Sequence, residues 1–267
     1  MNQVEIEASV KLHPWWESVS LNIGQSWHYA VGPLSLYLQR MESQWLLAWE
    51  QADEAETQSR LISEETDGIP EALTPTRYIF GQSPASFCLT PLLLDRAIVV
   101  KTAHPVKVPP GENVTFYIGS PVAINIHLEQ SPAALMEIPT LRLSDTWFGP
   151  TTQVGELCYA AKTQARNSRS EVPLRPHRAV TPVTISNQSE ELLAIDKLSI
   201  PVPHLAVYGQ SNGTLWTSPV SLKHTHGDQL AILEVGASPA GAEILSPARE
   251  PLQKGGLVRA FTSIFTD

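Results

Sequence analysis

Residues that could do chemistry crowd between positions 145 and 178. Ser144-Asp145-Thr146-Trp147-Phe148-Gly149-Pro150 is followed by Gly155-Glu156-Leu157-Cys158-Tyr159, then by Leu174-Arg175-Pro176-His177-Arg178. Lys162, Arg166, Arg169, Arg175, His177 and Arg178 form a positive stretch with only Glu171 opposing it. Guanidinium forks match carboxylate and phosphate oxygens, so this stretch is a candidate anion site. The competing reading is that these residues pair with acidic groups elsewhere in the chain. Asp145, Trp147, Glu156, Arg175, His177 and Arg178 are the candidate binding residues, on a loop rich in Trp, Arg and Gly.

Catalytic versions of the same region are incomplete. Cys158 with His177 would be a nucleophile and base only if the thiol pKa were lowered and the base lay within hydrogen-bond reach. A free cysteine is more often a small buried hydrophobe. Asp145, Glu156 and Glu137 could supply an acid pair for glycoside cleavage, which depends on their separation in space. No Gly-rich phosphate loop, serine elbow or zinc-protease helix is present in the sequence.

His224-Thr225-His226-Gly227-Asp228 has metal-like spacing, because residues two apart share a strand face. It resembles the His-x-His of cupins superficially. The places where a cupin carries its glutamate are Leu230 and Ala231 here. Gly227-Asp228 reads more simply as a turn, and a good metal site needs three or more converging ligands. His224 and His226 stay as a candidate metal pair, and no cofactor is expected.

These groups must be carried by strands. Prolines number 22 in 267 residues, spread along the chain. Each lacks an N–H and disfavours helix in the residue before it. Apolar residues alternate with period two: Trp27, Tyr29, Val31, then Leu34, Leu36, Leu38, then Trp45, Leu47, Trp49. This predicts a three-strand meander with the tryptophans in its core or in cross-strand pairs. Pro109-Pro110-Gly111-Glu112 and Asn212-Gly213 are turn signals between alternating runs. Glu50–Glu71 is acidic, with a thin apolar stripe, and is expected to be a mobile loop with at most a short helix. Val154, Leu157, Cys158 and Ala161 have helical spacing, so a helix is expected over Gln153–Gln164.

The expected fold is therefore all-β: fourteen to sixteen short strands in two sandwich-like parts, Ig-like or jelly-roll-like, with one or two short helices at most. The division places an N-terminal β-rich domain at 1–165, with an acidic loop at 50–72, and a C-terminal Ig-like sandwich at 173–267. The prolines are expected to punctuate the strands, with one break at Gly119-Ser120-Pro121.

Bulk composition narrows the function classes. Hydrophobic residues make up 42% and charged residues 17%, too apolar for disorder and too charge-poor for a coiled coil. The formal charge of −9 disfavours nucleic acid and anionic membrane as partners. No apolar run approaches the ~20 residues of a membrane helix. The N-terminus lacks the n-region and h-region of a secretory signal, and two cysteines suit a reducing compartment, so a cytoplasmic location is expected.

The 144–159 and 174–182 runs, with Trp45-Leu46-Leu47-Ala48-Trp49 and Val108-Pro109-Pro110-Gly111-Glu112, resemble an uncharacterised prokaryotic family, domain-of-unknown-function family 432. The resemblance covers most of the chain and brings no activity with it.

Three functions remain open. The first is a non-catalytic binding or interaction protein with its site around 145–178, taking a small anionic ligand or a protein. The second is a hydrolase for a carbohydrate or an anionic small molecule, which requires Asp145, Glu156 or His177 to line one pocket. The third is a structural scaffold, a homo-oligomer built through sheet edges or apolar faces. Whether the 145–178 region converges on one concave pocket discriminates among them.

Overall fold

A computed structural model describes residues 12–57, 59–129, 131, 133–151, 153–225, 230–252 and 256–262. In chain order the first strands are β1 (Val19–Ser20), β2 (Ser26–Val31), β3 (Leu34–Arg40), β4 (Gln44–Gln51), β5 (Leu61–Thr66), β6 (Thr76–Ile79) and β7 (Ser86–Leu93). A one-turn helix, α1 (Glu54–Thr57), sits between β4 and β5. The middle of the chain forms β8 (Ile98–Val108), β9 (Asn113–Leu128), β10 (Met136–Pro139), β11 (Ser144–Phe148), β12 (Glu156–Ala165), β13 (Arg178–Asn187) and β14 (Leu193–Ile200). The last strands are β15 (Val207–Gly209), β16 (Leu215–Thr217), β17 (Val220–His224), β18 (Leu230–Val235), β19 (Glu243–Ser246), β20 (Leu257–Arg259) and β21 (Phe261–Thr262). Strands hold 55% of the described residues and helix 4%, so the fold is all-β, in a sandwich-like arrangement of several sheets. Among the described residues, no helix is long and apolar enough to cross a membrane.

The strands make three sheets. One runs β5-β2-β3-β4-β6 and a second runs β11-β12-β8-β14-β21. The third has eleven strands along the path β1-β7-β9-β13-β16-β15-β19, with β10, β17, β18 and β20 branching from it. The expected meander is present as β2–β4, with Trp27 opposite Leu38, Tyr29 opposite Leu36, and Leu38 opposite Leu47. Trp45 is fully buried, whereas Trp49, four pairs further along, is 41% exposed. One continuous apolar cluster draws on all three sheets, from Trp45 and Phe87 through Ile98 and Ile124 to Leu198 and Leu222. Strand pairing crosses residues 165–173: β13 pairs β9, and β14 pairs β8.

Three local expectations are corrected. Gln153–Gln164 is not a helix, because Glu156–Ala165 is the strand β12. Its register shifts between Ala160 and Gln164, and Lys162 has φ 49°. This bulge turns Cys158, Ala161 and Ala165 all inward, so the apolar spacing imitates a helix. The acidic segment is not a single loop. Its second half is β5, an exposed acidic edge strand on β2. Charged side chains on an edge strand discourage pairing with other chains.

The third correction concerns proline. Pro91, Pro105, Pro121, Pro139 and Pro182 lie inside strands. At Pro121 the long β9 changes partner: Pro121 faces Arg178 of β13, and the next residue, Val122, faces Leu93 of β7. Pro182 faces Tyr117, whose own N–H and C=O are both taken by Arg166. Neither position demands an N–H from the proline, so the strand continues through it.

Candidate functional site

The 175–178 segment is a tight turn held from several sides. Arg178 N–H donates to Arg175 O, Val122 N–H donates to His177 O, and the buried Trp15 indole donates to Pro176 O. The turn brings Arg175, His177 and Arg178 onto one carboxylate, that of Glu54. Glu54 Oε1 accepts from Arg175 Nη1 at 3.1 Å, His177 Nε2 at 3.1 Å, and Arg178 Nε at 2.7 Å. Arg178 also donates to Gly119 O and Ala161 O, so its whole fork is committed.

Glu54 is placed by α1, whose start is capped by Asp53 accepting the Ala55 N–H. Burial alone would raise the Glu54 carboxyl. The His177 hydrogen bond and the Arg178 charge outweigh burial and hold it at about 2. His177 is fully buried, and burial pushes its imidazole down to about 4 against the opposing Glu54 hydrogen bond. The ring is therefore neutral at pH 7, with its proton on Nε2 facing Glu54. Nδ1, the unprotonated nitrogen, has no hydrogen-bond partner among the described residues and lies against Gly32. A Cβ at Gly32, which has φ +57°, would lie 2.1 Å from that nitrogen. The Gly32-Pro33 turn of the meander thus seats directly on the imidazole.

Beside this node is a pocket of about 540 Å³ walled by β8, β12 and β14 on one side and by β9, β13 and the 166–175 segment on the other. Lys101, Lys162, Arg166, Arg175, Arg178 and Lys197 line it, with Thr146, Thr163 and Gln164. No Asp or Glu is among its described lining residues. Lys101 on β8 faces Lys197 on β14 directly, and Gln164 on its other side. Like charges placed opposite on a sheet repel by roughly 0.2–1 kcal/mol. Lys162 sits in the left-handed backbone region, at a strain of about 1–3 kcal/mol. Lys101, Lys162 and Lys197 have no hydrogen-bond or ion-pair partner among the described residues. A second hollow of about 490 Å³ is lined by Asp53 and Glu54 and shares Lys162 and Arg175 with the first.

The other candidates go elsewhere. In the β11–β12 hairpin, Asp145 faces Tyr159 and Trp147 faces Leu157. Thr146 and Ala160, on the opposite parity, line the cationic pocket. Asp145 and Trp147 therefore lie on the sheet's other face. Asp145 pairs with Arg96 at 3.2 Å, and Arg96 also covers the Tyr159 ring. Trp147 is 46% exposed and donates to Thr151 O. Glu156 ends the ladder opposite Phe148, three rungs from Asp145, or about 10 Å along the strand. Glu137 pairs with Arg249 instead. Cys158 is buried, which raises its thiol pKa, and its contact is the Glu156 carbonyl, whereas His177 faces Glu54.

His224 is buried, with Nδ1 3.4 Å from Leu230 O and the ring edge-on to Phe261. His226 lies outside the described residues. Among the described residues, no group of three His, Cys, Asp or Glu side chains could hold a metal ion.

Reading the sequence missed Glu54, Gly32, Lys101 and Lys197. Glu54 is one acidic residue among many, and nothing local distinguishes it. The lysines are isolated in sequence and meet only through β8–β14 pairing.

A family model described as Protein of unknown function (DUF432) matches residues 15–266. No curated protein and no solved structure matches the chain.

Proposed function

The chain belongs to the DUF432 family, whose description names no activity, and we propose from the site itself that this protein binds a small anion in the cationic pocket. The observation that carries this reading is the directly opposed Lys101 and Lys197, joined by the strained Lys162, on a chain of formal charge −9. A repulsive pair and a strained lysine at one pocket oppose folding, and an anionic ligand relieves the repulsion. Among the described residues, the lining supplies ammonium, guanidinium, hydroxyl and amide groups but no carboxylate, imidazole or thiol. Such a set suits holding an anion better than the acid–base work of a hydrolase. Both cysteines are free, which suits a reducing cytoplasm as the proposed location.

Calorimetric titration of the full chain with sodium phosphate and sodium sulfate at low ionic strength tests the reading. Saturable binding that weakens at least about tenfold in Lys101→Met/Lys197→Met and fades with added salt supports it. Absence of binding up to about 10 mM of either anion, weaker than any useful affinity, overturns it.

A further inference from the structure

We infer that the ligand of this pocket is an oligophosphate, recognised by its charge and its phosphoryl oxygens and not through an aromatic base. The inference rests on the anion-binding reading above and names the ligand class.

The first argument is which cations remain available. Arg175 and Arg178 are the groups best shaped for a bidentate carboxylate, and both are already turned onto the internal carboxylate of Glu54. Arg178 has two backbone carbonyls as well, and Arg166 donates to Glu171 O. The cations left without partners among the described residues are Lys101, Lys162 and Lys197. Ammonium groups act as point charges with rotatable donors, which suits phosphoryl oxygens that present no fixed plane.

The second argument is charge count. Three uncommitted ammoniums converge on one pocket, so a ligand carrying three or more negative charges neutralises what a single phosphate leaves in part uncompensated. Two or three linked phosphoryl groups supply that charge in a compact body, and Thr146, Thr163 and Gln164 can donate hydrogen bonds to further oxygens. The pocket's volume of about 540 Å³ accommodates such a chain.

The third argument is the absence of any aromatic side chain among the described lining residues. Recognition of a nucleobase ordinarily uses stacking on an aromatic ring. Here a base would gain little, so a nucleoside triphosphate should bind no better than its phosphate chain alone.

The test is calorimetry of the full chain, magnesium-free, against phosphate, pyrophosphate, tripolyphosphate, ATP and citrate. Affinity is expected to rise by about tenfold with each added phosphoryl group, and ATP is expected to match tripolyphosphate within about threefold. Lys162→Met should weaken tripolyphosphate by about tenfold with the ligand-free melting temperature unchanged or raised. Equal affinity for phosphate and tripolyphosphate overturns the inference while leaving anion binding intact. So does citrate binding as tightly as tripolyphosphate, which would assign a carboxylate ligand. ATP binding more than about tenfold tighter than tripolyphosphate would assign base recognition and also overturn it. Binding of none of the five removes the anion-binding reading itself.

Discussion

Two groups of cations of like sign stand side by side in this protein and do different work. Around Glu54, Arg175 and Arg178 are drawn onto a carboxylate beside a neutral imidazole, and Arg178 is nearly fully buried. Across the pocket, Lys101, Lys162 and Lys197 face open space with no partner among the described residues. The first group is a closed internal ion cluster that ties α1, the meander turn and β13 together. The second is an unneutralised surface that its own fold does not satisfy. Charge in a sequence therefore does not identify a binding site; the state of its partners does.

Breaking the closed group should have the largest effect. Glu54→Ala leaves Arg178 buried without its carboxylate, and loss of about 3–5 kcal/mol in denaturant-measured stability is expected. A variant within about 1 kcal/mol of the parent would show that the two groups are not distinct in kind.

Gly32→Ala attacks the same cluster from the meander side. The added methyl meets the imidazole and needs a left-handed backbone, so a loss of about 2–4 kcal/mol is expected by the same measurement. An unchanged unfolding midpoint would mean that the turn does not seat on His177.

Acid should dissolve the closed group in two stages. His177 sits at about 4 when folded, below its ordinary value of 6.5, so the unfolded chain takes up the proton first as pH falls. Its contribution is complete above pH ~6.5 and is lost on the way down to ~4, on the order of 3 kcal/mol. Glu54, held at about 2 against an ordinary 4.5, adds a further loss below pH ~4.5. Urea unfolding at a series of pH values should show stability falling below pH ~6.5, and His177→Gln should flatten the upper stage.

The open group should respond with the opposite sign and the smallest size. Lys101→Met removes one half of a directly opposed like-charged pair, so stability should rise by about 0.2–1 kcal/mol. Added salt should shrink that gain. A loss of stability would mean that Lys101 has a structural partner and belongs with the closed group.

Much of the fold was legible because strand grammar is local. The alternation from Trp27 to Trp49 became β2–β4 with the expected apolar pairs, and Asn212-Gly213 became the β15–β16 turn, with Gly213 at φ +82°. Pro109-Pro110-Gly111-Glu112 is a turn as well, with Gly111 at φ +76°. It passes the chain from β8 in one sheet to β9 in another, which no turn signal encodes. The helical spacing around Cys158 misled because a bulge breaks period two, and a bulge is decided by neighbouring strands.

The candidate site was legible only in part. Arg175, His177 and Arg178 were readable as part of a positive stretch that either binds an anion or pairs with acidic groups elsewhere, since their types and closeness are local facts. The anion they hold is Glu54, and Arg178 meets it across a sequence separation of 124 residues. By itself the sequence determined many of the strands, most of the turns, the net charge and the positive segment, because those follow from side-chain pattern over a few residues. Only the tertiary structure decided which cations are neutralised and which are left facing the pocket. Ion pairing depends on distance through space, and β8, β12, β13 and β14 converge only after the whole chain has packed.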